Sequence, residues 1–169
     1  QPLNCSYCIS GDSLIPKANG VVSFIKDIKK GDKVLAFDES IGDKKSKLDA
    51  KEINANLWAE VTKVMHRTVK GYYQISHKRF RKPFKVTGEH PILTEYGWME
   101  ACLLNYDYGI AYLNGFNQVE FIRDYKINWV NEEMEVYNLE TSKSTYIANS
   151  ILVHNCYQFN KTPMKMDRG

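Results

Sequence analysis

The stretch Ile151-Leu152-Val153-His154-Asn155-Cys156 runs three apolar β-formers into an imidazole, an amide able to cyclise on its own backbone, and a thiol. One reading is plain: a core strand leaves its sheet through a polar turn. The other is that the strand delivers three reacting groups in consecutive positions. The remaining cysteines are Cys5, Cys8 and Cys102. Cys102 lies in the apolar run "MEACLL" and reads as a small buried hydrophobe. Cys5, Cys8 and Cys156 lie towards the two ends, a poor pattern for a disulfide-stapled secreted domain, and are the thiols near chemistry.

The elements that must position these groups are β in composition. A length of 169 residues fits one ordinary domain, and 43% hydrophobic residues are enough for a real core. Eleven Tyr, seven Phe and three Trp, with many Val and Ile, favour strands. The net charge of +3 comes without a Lys/Arg run or a basic–aromatic stripe, which argues against a nucleic-acid partner. No apolar stretch approaches twenty residues and no signal-like segment appears, so a cytoplasmic protein without a membrane contact is expected.

Along the chain, "KVLAF" (33–37), a long bent run at 57–69, and segments near 71–76, 83–87, 91–94, 108–113, 118–122, 127–139 and 145–153 read as strands. Val22, Ile25 and Ile28 at helical spacing predict a short helix ended by Gly31, and 98–104 predicts a second. Residues 38–56 are charged and Gly-punctuated and predict a mobile surface loop poor in core residues. The last 14 residues lack periodicity and read as an appended tail.

Four stretches now stand together in order: "CISGDSLI" (8–15), "VTGEHPIL" (86–93), "EVYNLETSKSTYIANS" (135–150) and "ILVHNC" (151–156). With "IKKGDKVLAFD" (28–38) and "GWMEACLLNYD" (97–107), the chain resembles an intein of the hedgehog/intein (Hint) fold. The resemblance implies an all-β, horseshoe-like fold of many short bent strands with one or two short helices. It divides the chain into an N-extein flank (1–7), a splicing domain (8–155) and a C-extein flank (156–169). No homing-endonuclease-like acidic motif lies between Gly97 and Val130, so the element resembles a mini-intein.

The chemistry this implies is single-turnover and autocatalytic. The Cys8 thiol attacks the Tyr7 carbonyl, converting an amide into a thioester. Thr87 and His90 contact that peptide, and His90 protonates the departing nitrogen. Cys156 then takes over the acyl group. Asn155 closes a succinimide on its own carbonyl, breaking the 155–156 bond with help from His154, and the joined flanks rearrange to an amide. No cofactor or metal is required, the partners are the chain's own flanks in cis, and a monomer suffices.

Three positions depart from the family pattern. Asn138 stands where an Asp is usual, Ser144 where many members have a His that assists cyclisation, and Ser150 where Gly is common. Asn138 and Ser144 read as ordinary strand polar residues. Joined without 8–155, the flanks read "LNCSYCYQFNK", which resembles the C-x3-C-x2-C segment holding a [4Fe–4S] cluster in radical SAM enzymes. Cys5 and Cys156 would be its second and third ligands, with Gln1 where the first should fall. Cys5 and Cys8 also have the spacing to close a disulfide that would block the attacking thiol until reduced; alternatively Cys5 is only the host's ligand. The competing readings are a Hint domain that cleaves without ligating, a cysteine hydrolase acting in trans through Cys8 and His90, and a metal module of Cys5, Cys8, His154 and Cys156.

Overall fold

The structure is a computed structural model and describes residues 7–155. Fifteen strands follow one another among these residues: β1 (Ile9–Ser10), β2 (Leu14–Pro16), β3 (Val22–Phe24), β4 (Lys33–Ala36), β5 (Leu57–Val69), β6 (Tyr72–Ser76), β7 (Phe84–Val86) and β8 (Pro91–Thr94). The rest are β9 (Gly97–Glu100), β10 (Ile110–Leu113), β11 (Val119–Ile122), β12 (Lys126–Val130), β13 (Met134–Thr141), β14 (Thr145–Ala148) and β15 (Ile151–His154). They form a seven-stranded sheet, β12-β6-β7-β1-β13-β5-β4, and a second sheet, β11-β10-β15-β8-β9, with β14 paired to β15. β2 and β3 make a separate hairpin.

This arrangement explains why the two ends of the described chain meet. β1 is held in the middle of the first sheet, with Ile9 opposite Val86 on one side and Tyr137 on the other. β15 is held in the middle of the second, with Val153 opposite Ile92 and Tyr146. Both strands are fully buried, which is why Ile151–Val153 of β15 run apolar without a break rather than alternating. The chain passes from the first sheet to the second through two short turns, 87–90 between β7 and β8 and 142–144 between β13 and β14. The site lies where those two turns converge.

Several expectations are corrected. No α-helix occurs among the described residues. Val22 belongs to β3, and the 3-10 turn Ile25–Asp27 buries Ile25 and leads to buried Ile28. Apolar residues three apart suit one 3-10 turn, in which i and i+3 eclipse, as well as they suit an α-helix. The segment 98–104 is likewise split between β9 and the 3-10 turn Ala101–Leu103, which leaves Cys102 exposed rather than buried.

Segment 38–56 is not poor in core residues. Leu48, Ile53 and Ala55 are buried with Phe37, Leu93, Val119 and Leu152 in a second apolar cluster. The Leu48 N–H donates to the Glu95 carbonyl at 2.7 Å. The 3-10 turn Glu39–Asp43 starts from Asp38, whose carboxylate accepts from the Ser40 N–H.

The long strand expected at 127–139 is two, β12 and β13, which pair with β6 and β5 respectively. The run 145–153 is a hairpin. Asn149 and Ser150 both have positive φ, 52° and 69°, the pattern of a type I′ turn. Ser150 thus occupies left-handed backbone where a Cβ costs about 1–2 kcal/mol. Ser150→Gly is expected to raise unfolding stability by about 1 kcal/mol, the strain relief partly offset by unfolded-chain entropy. A urea titration measures this, and an unchanged or lowered midpoint would count against the strain.

Candidate active site

Cys8 emerges from β1 against the turn that follows β7. The Cys8 N–H donates to Thr87 Oγ1 at 3.0 Å, the Thr87 N–H donates to the Cys8 carbonyl at 2.9 Å, and the Thr87 hydroxyl reaches the same carbonyl at 3.3 Å. Thr87 therefore grips the peptide on both sides of Cys8. The turn closes through the His90 N–H on the Thr87 carbonyl at 3.2 Å. It is packed tightly: a Cβ on Gly88 would lie 3.1 Å from the Tyr73 ring and 3.3 Å from Cys102. The Cys8 side chain is buried, and burial pushes its thiol up, with the Arg67 guanidinium acting in the opposite direction.

His90 is wholly buried, and its Nε2 lies 2.9 Å from the carbonyl of His154. A carbonyl only accepts, so Nε2 carries the proton and Nδ1 presents a lone pair. Nδ1 has no partner among the described residues. Burial lowers the pKa of this histidine to about 3, against partial compensation from the backbone of His154 and, less, of Cys8. The resting ring is therefore a neutral base whose tautomer is set by the other end of the chain.

The carbonyl of Tyr7, one residue before Cys8, accepts a hydrogen bond from Asn138 Nδ2. Asn138 is fully buried on β13, and its Oδ1 accepts from the Tyr146 hydroxyl and the Leu139 N–H, both at 2.7 Å. Those two donors fix which end of the amide faces Tyr7. An ionised Asp here could not donate to a carbonyl, whereas an amide can. Asn138 is thus more than the ordinary strand polar residue expected from the sequence; the signal available was its place in a motif position that usually carries chemistry.

At the other end, His154 and Asn155 are both fully buried. His154 Nδ1 is 2.9 Å from the Asn155 carbonyl oxygen, and Nε2 is 2.7 Å from Glu39 Oε2. The ring meets Trp98 edge-on, with centroids 4.9 Å apart. The Asn155 N–H donates to the Ser144 carbonyl at 3.0 Å. Its side chain is oriented by the hydrogen-bond network, with Nδ2 donating to Ser144 O at 3.0 Å and Oδ1 accepting from the Thr141 N–H at 2.9 Å. Ser144 thus holds Asn155 through its backbone, in left-handed conformation at φ 66°.

Thr87, His90, Cys8, His154 and Asn155 are in this way brought together, with His90 bridging from the Cys8 side to the Asn155 side. Cys5 and Cys156 lie outside the described residues. Glu39 was hidden in the charged 38–56 segment, where nothing in the pattern distinguishes one carboxylate from another.

No family profile matches the sequence, and no curated protein does. Among solved structures, a DnaB intein from Synechocystis sp. PCC 6803 is 28% identical over 89% of this chain and 99% of its own, with a TM-score of 0.69. A mutant of a Ssp DnaB mini-intein variant is 26% identical over 95% of this chain and 98% of its own, with a TM-score of 0.75. A bacterial intein-like domain from Clostridium thermocellum shares 24% identity over 88% of this chain and 98% of its own, at a TM-score of 0.64, a likeness of fold. The chain has the Hint fold, and its structural neighbours are inteins. Among the described residues no helix is long and apolar enough to cross a membrane.

Proposed function

We propose that residues 8–155 excise themselves and ligate residues 1–7 to the segment beginning at Cys156. The observation that carries this reading is the bridge between the two junctions. One turn grips Cys8 through Thr87 and reaches the carbonyl of His154 through His90. A hydrolase acting on an external substrate has no use for that connection. The intein neighbours support autoprocessing of this general kind.

In the first step Cys8 Sγ bonds to the Tyr7 carbonyl carbon while the carbon–nitrogen bond to Cys8 breaks. The thiol proton ends on the freed amine. Because resting His90 is neutral, it can protonate the nitrogen only after collecting a proton, and its Nδ1 lone pair is suited to carry the thiol's own. Asn138 Nδ2 donates to the carbonyl oxygen on which charge develops. Cys156 Sγ then displaces Cys8 Sγ from the acyl carbon. Next, Asn155 Nδ2 bonds to its own carbonyl carbon as the bond to the 156 nitrogen breaks; one proton leaves the amide and one arrives on the amine. A final S-to-N acyl shift restores a peptide bond between Tyr7 and Cys156.

The product would leave only Ser6 and Tyr7 between Cys5 and Cys156, the spacing of the second and third ligands in the cluster-binding segment of a radical SAM host, with Gln1 at the first position. Intact mass spectrometry of the purified chain, with and without reductant, tests the whole scheme. The expected products are the 1–7/156–169 peptide and an excised domain ending in a succinimide or its hydrolysed form. Separate flanks without ligation would indicate a cleavage-only Hint domain. An unchanged mass under every condition would remove the activity.

A further inference from the structure

We infer that Glu39 is the positioning residue of the C-terminal cleavage, holding His154 as an imidazolium whose Nδ1–H is aimed at the Asn155 carbonyl oxygen. The inference rests on the splicing reading and names a residue outside all the motifs that suggested it.

The argument is one of donors and acceptors. His154 lies between two oxygens, the Asn155 carbonyl at 2.9 Å from Nδ1 and Glu39 Oε2 at 2.7 Å from Nε2. A carbonyl accepts only, and so does an ionised carboxylate. A neutral ring would turn a lone pair towards one of them, whereas the imidazolium donates to both. The His154 side chain is 1% exposed, so a charge there needs a counter-charge in contact, and Glu39 supplies it. The pair matches the arrangement in which a carboxylate orients a histidine for acyl transfer.

The position of Glu39 is fixed by packing. It opens the 3-10 turn Glu39–Asp43, and Gly42 in that turn lies so close to Trp98 that an added Cβ would be 2.2 Å from the indole nitrogen. Gly97, with φ 98°, closes the opposite side: its Cβ would fall 2.5 Å from the Gly42 carbonyl oxygen. Trp98 in turn meets the His154 ring edge-on. The turn, the indole and the imidazole form one packed unit, so the carboxylate does not have to find its partner.

In the reaction, the carbonyl oxygen of Asn155 gains negative charge as Nδ2 bonds to its carbon. A charge-assisted donor already in place stabilises that oxyanion more than the neutral ground state. When the bond to the 156 nitrogen breaks, the imidazolium can release its proton to the amine and recover one from the attacking amide nitrogen. The ring is unchanged overall.

The test uses the full chain in a Cys8→Ala background, which leaves only C-terminal cleavage. Release of 156–169 and succinimide formation are followed by intact mass in Glu39 and E39Q forms. Gln keeps the shape of Glu39 and removes its charge. Cleavage is expected to slow by at least about 10-fold, since neutralising a carboxylate that orients a catalytic histidine can cost up to about 10,000-fold. The 15N shifts of the His154 ring are expected to change from two protonated nitrogens to one. Equal cleavage rates, or an unchanged ring, would overturn the inference. A parallel fall in thioester formation, trapped with hydroxylamine in an Asn155→Ala precursor, would make Glu39 merely structural and overturn it too. If the Glu39 form itself yields no succinimide, the splicing reading fails instead, and the ring shifts still decide whether Glu39 sets the state of His154.

Discussion

Replacing His90 with Gln is expected to slow thioester formation at Cys8 by about 100- to 10,000-fold, the usual loss when a positioned acid–base group is removed. The fold should survive, because a Gln amide can still donate to the His154 carbonyl that now receives Nε2–H. The proton carrier is what disappears. The buried thiol, pushed up in pKa, then has no unprotonated nitrogen to receive its proton. The pH dependence sharpens the claim. With its pKa lowered to about 3, His90 stays a free base down to mildly acidic pH. The first step should therefore show no tenfold loss per unit as pH falls through 6.5 in the native chain. Hydroxylamine trapping of the thioester, in an Asn155→Ala precursor that cannot cyclise, measures both results. A His90→Gln precursor that forms thioester at the native rate would reduce His90 to a structural bridge.

Much of this site could be read in the sequence, because its chemistry demands particular residue types at particular places. Cys8, Thr87, His90, His154 and Asn155 each lie within a short stretch whose neighbours are strand-formers, so type and element were legible together. What could not be read was the contribution of groups whose role is set by tertiary placement. Glu39 sits among Asp38, Asp43 and several lysines, and only the packing of its turn on Trp98 brings it to His154. Leu48, Ile53 and Ala55 follow neither a 2.0 nor a 3.6 period, so their burial leaves no local pattern. Asn138 looked like a loss because the expected residue was an acid. Its use depends on donors at Leu139 and Tyr146 that turn the amide nitrogen outward.

The helices expected at 22–28 and 98–104 are shortened to the 3-10 turns Ile25–Asp27 and Ala101–Leu103 for a different reason. Apolar residues three apart do not distinguish a 3-10 turn from an α-helix, and the neighbouring residues were drawn into hairpins, Val22 opposite Pro16 and Met99 opposite Ile92. Where a residue can pair with the adjacent strand of a hairpin, a single helical turn with one buried side chain does not compete.

Acid should destabilise this fold well above the range where carboxylates titrate, and His90 is the reason. Its pKa is about 3 in the folded chain, against an ordinary value of 6.5. Between those limits the unfolded chain binds a proton that the folded chain does not, so stability falls as pH drops from 6.5 towards 3. Above 6.5 neither state holds the proton and the contribution is flat. The slope approaches about 1.4 kcal/mol per pH unit for one such group. Two units thus remove a sizeable part of the roughly 5–15 kcal/mol that holds a domain together. Glu120, lowered to about 2 by Arg79, acts in the same direction but only below its ordinary 4.5, and its exposure weakens the effect. The window from pH 6.5 to 4.5 therefore isolates the histidine. Urea midpoints of the native chain and of His90→Gln, each carrying Asn155→Ala to prevent processing, should converge as pH is lowered through it, because the Gln side chain has no proton to gain. A difference that stays constant across the window would mean that the buried ring is charged, and the assignment of His90 as the resting base would fall with it.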